Sequence, residues 1–186
     1  MTHMKDKDKE FKITQRNLHH AKLATDILNI EFTQEDLSLA LIQEPLAHEF
    51  KIRDLSAGNL VFDSKVKKPR SLIMIRKNIP YIPLTQFINK DLVSILVTLN
   101  GSQKVVFASA YLPGDTLEVP QDLRNLMQYC IQNQLEIIIG CDANAHHLIW
   151  GSTNTNERGE NVLDFIIENN LEIINKGSRP TFVVNN

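Results

Sequence analysis

Five polar side chains stand where an apolar, strand-like run gives out. Asn17 follows residues 11–16, Glu44 follows Leu39-Ala40-Leu41-Ile42-Gln43, Tyr111 follows residues 105–110, and Asp142 with Asn144 follows residues 135–141. In layered α/β proteins ligands bind in the crevice beyond the carboxyl ends of strands, where the backbone is held rigidly. A carboxylate, an amide, a phenol and an Asp-x-Asn pair in such a crevice suit a hydrated divalent cation and a phosphate. The charge of Glu44 is costly to bury after an apolar run unless a cation compensates it. Mg²⁺ is suited to that place, since it takes one or two carboxylates and keeps its other positions for water and phosphate, with Mn²⁺ the alternative. Asp142 and Asn144 alternate on an extended strand end and so share one side. Asp142 is suited to orient or deprotonate an attacking water, and Asn144 and Tyr111 to donate to a phosphoryl oxygen. Asn17 either orients Glu44 by a hydrogen bond or caps the next helix. Plainer readings stand beside these: a solvated strand-end acid, an Asx turn, a packed tyrosine.

Other polar clusters are less telling. His146 and His147 are adjacent and cannot easily share one ion, and Cys141 faces away from Asp142, so zinc is not favoured. The stretches around Trp150 and Arg158 read as a loop packed by Trp150 and closed by a glycine turn. Charge is uneven along the chain. From Lys65 to Lys77 there are six bases and no acid, whereas from Asp115 onward ten acids face four bases. Lys65, Lys67, Lys68 and Arg70 are the candidate contacts to nucleic-acid phosphates, the plainer reading being a solvated turn.

The elements that must position these residues follow from periodicity. Leu18, Ala21, Ala24, Ile27, Leu28 and Phe32 form a helical stripe over 18–32. Strands are expected at 39–43, 58–62, 71–76, 92–99 and 105–111, with Gly101 turning the last two into a hairpin. Pro120 opens a helix to 134, the Asp142 strand follows, and a helix at 159–170 precedes strands at 171–175 and 181–184. Hairpins in the middle and β-α-β steps at both ends predict a mixed sheet, or two sheets packed face to face, with helices outside. A length of 186 residues with 42% hydrophobic and 23% charged residues suits one soluble domain. No stretch approaches the ~20 apolar residues of a membrane helix. Residues 1–10 read as a solvated, disordered leader without signal-peptide character. The two cysteines are expected to be reduced in an intracellular protein.

The order and spacing of short segments carry a family resemblance. They are Gln15-Arg16-Asn17-Leu18 with Ala24-Thr25, Gln43-Glu44-Pro45, Ser109-Ala110-Tyr111-Leu112-Pro113, Asp142-Ala143-Asn144-Ala145-His146-His147 with Trp150-Gly151-Ser152, Arg158-Gly159-Glu160, and Pro180-Thr181-Phe182. The chain resembles the endonuclease/exonuclease/phosphatase superfamily, most of all the endonuclease domain of jockey-like non-LTR retrotransposons. The resemblance spans residues 11–184 and implies a four-layer α/β sandwich of two mixed sheets flanked by helices. It implies that Asn17 and Glu44 serve the metal, Tyr111 and Asn144 the scissile phosphate, and Asp142 the attacking water. It further implies nicking of double-stranded DNA to leave a 3′-hydroxyl, a reverse transcriptase region in a longer parent, and a nuclear site of action on chromosomal DNA. Such domains continue into a Ser-x-Ile-Asp-like strand and a Ser-Asp-His element, whereas this sequence ends at Val184-Asn185-Asn186. The expectation is therefore a domain over 11–186 lacking its last strands, with nicking at or below background. A non-catalytic remnant that binds nucleic acid or a protein is the competing reading, and a small-molecule phosphoesterase the third.

Overall fold

The structure is a computed structural model that describes residues 10–175. Two compact units divide these residues, 10–111 with Gln128–Asp142 and Leu112–Met127 with 143–175.

The first unit holds β1 (Ile13–Asn17), α1 (Lys22–Gln34), β2 (Leu39–Gln43), β3 (Ala47–His48), β4 (Lys51–Ile52), β5 (Asn59–Val61), β6 (Ser71–Ile75), β7 (Tyr81–Pro83), β8 (Leu92–Leu99), β9 (Gln103–Tyr111) and, after helix α2 (Gln121–Gln132), β10 (Glu136–Asp142). One mixed sheet has the order β1-β2-β6-β5 and the other β10-β9-β8-β7, while β3 and β4 form a separate hairpin. Alternation along the strands builds the layers. Leu39, Leu41, Ile73 and Ile75 meet Val93, Ile95, Val97, Val105 and Phe107 in a buried core between the sheets. The neighbouring residues Ala40, Ile42, Leu72 and Met74 pack instead with Leu28 and Phe32 of α1. Covered on both faces, β2 and β6 are buried along their whole length, which explains their unbroken apolar sequence. At the other sheet the ring of Tyr129, in the C-terminal half of α2, lies 5.3 Å from Phe87. This is the expected α/β sandwich of two mixed sheets with helices.

The steps β1-α1-β2 and β9-α2-β10 give parallel pairs, and β8 and β9 the expected hairpin. Asn100 (φ 48°) and Gly101 (φ 77°) make that turn. The first helix starts at Lys22 rather than residue 18, because His19 and His20 are in the left-handed region (φ 46° and 54°). The β3–β4 hairpin escapes sequence reading because Glu49 and Phe50, both left-handed, carry no Asn-Gly signal. Strand β7 escapes it too, being three residues ending on Pro83.

In the second unit α3 (Glu157–Glu168) is capped by Asn156, whose Oδ1 accepts the Gly159 N–H at 2.8 Å. Arg124 stacks over the Phe165 ring at 5.5 Å and pairs with Glu168 at 3.3 Å. Residues 171–175, expected as a strand, are irregular. The expected strand at 181–184, the Pro180-Thr181-Phe182 segment and residues 1–9 of the leader lie outside the described residues.

Candidate functional site

Parallel register brings the strand ends of the first unit level. Asn17 is opposite Gln43, directly before Glu44, and Asp142 is opposite Tyr111. Gln43 has the parity of Leu39 and Leu41, so its amide is driven between the sheets, where a polar group must find partners. It accepts from Gln15 Nε2 and donates to Ser109 Oγ at 2.9 Å and to the Gly140 carbonyl at 3.0 Å. The Ser109 hydroxyl donates onward to the Ile42 carbonyl at 2.8 Å. Gly140 permits this close approach, for a Cβ there would lie 2.6 Å from Leu41 Cβ and 2.9 Å from Gln15 Cγ. Above this brace Asn17 Nδ2 donates to Asp142 Oδ2 at 2.6 Å, joining the ends of β1 and β10.

That bond corrects both expectations for Asn17. Its amide nitrogen orients Asp142 rather than Glu44, and its Oδ1 accepts the His19 N–H at 2.8 Å, while the helix N-cap is Ala21. Glu44 itself is left-handed (φ 47°), with its N–H on the Arg70 carbonyl at 2.9 Å and its carbonyl accepting from His20 N at 2.8 Å. The carboxylate, 19% exposed, lies 3.3 Å from His19 Nδ1 and 3.8 Å from His20 Nε2. His20 Nδ1 sits 2.9 Å from the Pro45 carbonyl, which can only accept, so that nitrogen carries a proton. Glu44 and Asp142 carboxylates with the Asn17 amide oxygen are hard donors of the kind Mg²⁺ takes. Among the described residues no group of three or more His, Cys, Asp or Glu side chains is gathered for a metal. Oxygen donors of this kind suit a cation that keeps several waters.

Tyr111 is held at the end of β9 by its N–H on the Asp91 carbonyl at 2.8 Å and by the Arg70 guanidinium, 4.7 Å from its ring centroid. Arg70 forks onto the Asp91 carboxylate at 2.5 and 2.6 Å. Its charge is therefore matched and faces Tyr111, whereas Lys65, Lys67 and Lys68 are exposed. The Lys67 carbonyl accepts the Phe50 N–H at 3.2 Å, tying the lysine loop to the β3–β4 hairpin.

In the second unit Asn144 departs from the extended Asp-x-Asn alternation. Strand β10 ends at Asp142, Asn144 is left-handed (φ 47°), and its amide donates to the Leu112 carbonyl at 3.0 Å. The loop beyond is internally bonded: His146 Nδ1 lies 2.9 Å from Asn154 Oδ1, His147 Nδ1 accepts from Ile149 N at 3.1 Å, and Trp150 Nε1 donates to the Ala145 carbonyl at 3.3 Å. Sequence reasoning missed Gln43, Ser109, Gly140, Asp91 and the buried Arg158. For Gln43 a signal existed, a polar residue at an inward position of an apolar strand; for Asp91 none did.

Residues 105–186, which include Tyr111, Asp142 and Asn144, match the family described as endonuclease-reverse transcriptase. No curated protein matches the sequence. The fold is similar to the endonuclease domain of TRAS1, a telomere-specific non-LTR retrotransposon, at TM-score 0.77 and 24% identity over 93% of this chain and 77% of that one. It is also similar to an endonuclease/exonuclease/phosphatase family protein from Leptotrichia buccalis C-1013-b, at TM-score 0.52 and 18% identity over 83% and 72% of the two chains. A D. rerio TDP2 humanized by 14 mutations aligns at TM-score 0.50 and 16% identity over 74% and 63%.

Proposed function

We propose that the chain is a member of the endonuclease/exonuclease/phosphatase superfamily and serves as the divalent-metal-dependent DNA endonuclease domain of a retroelement-type protein, a reading supported by the family match over residues 105–186 and by the similarity of fold. The observation that carries this reading is the Asn17–Asp142 bond of 2.6 Å at the level ends of braced strands. A carboxylate fixed by an amide donor is positioned to take a proton from an attacking water, because the amide prevents it from swinging away. Glu44 and the Asn17 amide oxygen would hold Mg²⁺, or Mn²⁺ in its place. A bound cation of this kind supplies charge stabilisation at the phosphoryl and leaving oxygens. Tyr111, steadied by Arg70, donates its hydroxyl hydrogen to a non-bridging phosphate oxygen, and Asn144 is the other residue proposed to contact phosphate. Lys65, Lys67 and Lys68 contact phosphates of the duplex along its backbone. Double-stranded DNA, a reverse transcriptase region in the same polyprotein and a nuclear site of action complete the reading.

Its test is conversion of supercoiled plasmid to nicked circles. Nicking that requires Mg²⁺ and is lost in both Glu44→Gln and Asp142→Asn supports the assignment. Nicking that survives either substitution, or proceeds equally in excess chelator, refutes it.

A further inference from the structure

Among the described residues Arg158 is the only charged side chain in the buried interior, 4% exposed. Its Nε donates to the Ala143 carbonyl at 2.7 Å, but Nη1 and Nη2 are shut from solvent and have no hydrogen-bond partner. A guanidinium cannot shed its proton at any ordinary pH, so burial cannot neutralise it. An ion buried without a counter-charge is a severe penalty for a fold of marginal stability. Two oxygen-bearing side chains close to it in sequence have other partners. Asn156 Oδ1 accepts from Gly159 N at 2.8 Å and His146 N at 3.1 Å, and the exposed Glu160 lies 3.8 Å from His147 Nε2. The loop is pressed onto the start of α3, for a Cβ at Gly159 would lie within 1.9 Å of the His146 carbonyl oxygen. Arg158 also stands in the first turn of α3, where the helix dipole adds positive field, while the acidic residues of that turn, Glu157 and Glu160, are exposed.

With Nε occupied, the unused donors are the two Nη groups, the parallel pair that meets two oxygens of one carboxylate or phosphate end-on. We infer that Arg158 is the cationic wall of an internal oxyanion site in the second unit, binding a carboxylate- or phosphate-type group through two parallel hydrogen bonds. The site does not depend on the endonuclease reading. Two sources offer the same chemistry, a free oxyanion and a phosphate of the DNA backbone, and the test separates them.

Thermal melting of the full chain is followed against inorganic phosphate and against chloride at matched ionic strength, then with a short DNA duplex in chloride. Wild type should show a saturable rise of about 5–10 °C at phosphate near one hundred times Kd, beyond any effect of chloride. Arg158→Gln should lose that increment. Arg158→Lys, which keeps the charge and loses the fork, should need at least tenfold more phosphate. An increment seen with duplex and lost in Arg158→Lys, without one from phosphate, assigns the site to DNA backbone. The proposal is overturned if neither phosphate nor duplex gives wild type more than Arg158→Lys. Arg158→Lys decides the matter even if Arg158→Gln does not fold.

Discussion

Replacing Gln43 by Leu should loosen both the sandwich and the site it carries. The side chain is fully buried and makes three hydrogen bonds, from Gln15 and to Ser109 and Gly140. Leucine fills a similar volume but leaves the Gly140 carbonyl and the Gln15 amide without this partner. An orphaned buried polar group costs about 1–3 kcal/mol, while Gln15 lies at an exposed position and recovers water, so the net loss should be about 2–4 kcal/mol. That corresponds to a fall in Tm of about 5–15 °C for a chain of this size. Because the brace lies directly beneath the Asn17–Asp142 bond, the stabilisation that Mg²⁺ gives should shrink as well. Gln15→Ala, which removes only the outer partner, should lower Tm by less than half as much. Urea melts with and without Mg²⁺ measure both effects. A Gln43→Leu variant as stable as wild type, with its Mg²⁺ response intact, would refute the idea that this network sets the site.

Glu44→Gln should leave the metal-free Tm unchanged or raised, and abolish the Mg²⁺-linked gain of about 1.4 kcal/mol expected at ten times Kd; a preserved gain removes Glu44 from the metal site. Lys67→Glu with Lys68→Glu should weaken duplex binding for all sequences alike and lower the slope of log K against log salt by about 2; an unchanged slope leaves the strip a solvated turn. Burial pushes the Cys130 thiol up to about 11. With its folded pKa above its unfolded one, Cys130 contributes stability that is fully present below the ordinary thiol pKa of about 8.5 and lost as pH rises towards the folded value. Cys130→Ala should remove that alkaline loss. In the native protein iodoacetamide at pH 8 should label the half-buried Cys141 first and Cys130 only in urea, and the reverse order contradicts this account.

The strand ends were legible because apolar runs stop abruptly at Asn17, Glu44, Tyr111 and Asp142, and strand polarity then sends all four towards one end of the sheets. What holds them there was not legible. The partners of Gln43 lie 66 and 97 residues away, and those of the Asn17–Asp142 bond 125 residues apart. No local pattern encodes such separations. Backbone reversals at His19, Glu44 and Asn144 were also hidden, since none is a glycine and each is imposed by tertiary contacts. Arg70 shows the same limit in charge: counted with its neighbours it extends a basic strip, but Asp91, 21 residues on, claims it.

The central claim is that the ends of β1, β2 and β10 form one metal-binding locus. Replacing Mg²⁺ by Fe²⁺ with ascorbate and peroxide generates radicals that cut the backbone beside the bound ion, whether or not the enzyme turns over. The account predicts cuts next to Asn17, Glu44 and Asp142, suppressed by excess Mg²⁺ and lost in Glu44→Gln. Cuts concentrated at His146–His147, or cuts at the strand ends that persist in Glu44→Gln, would contradict it.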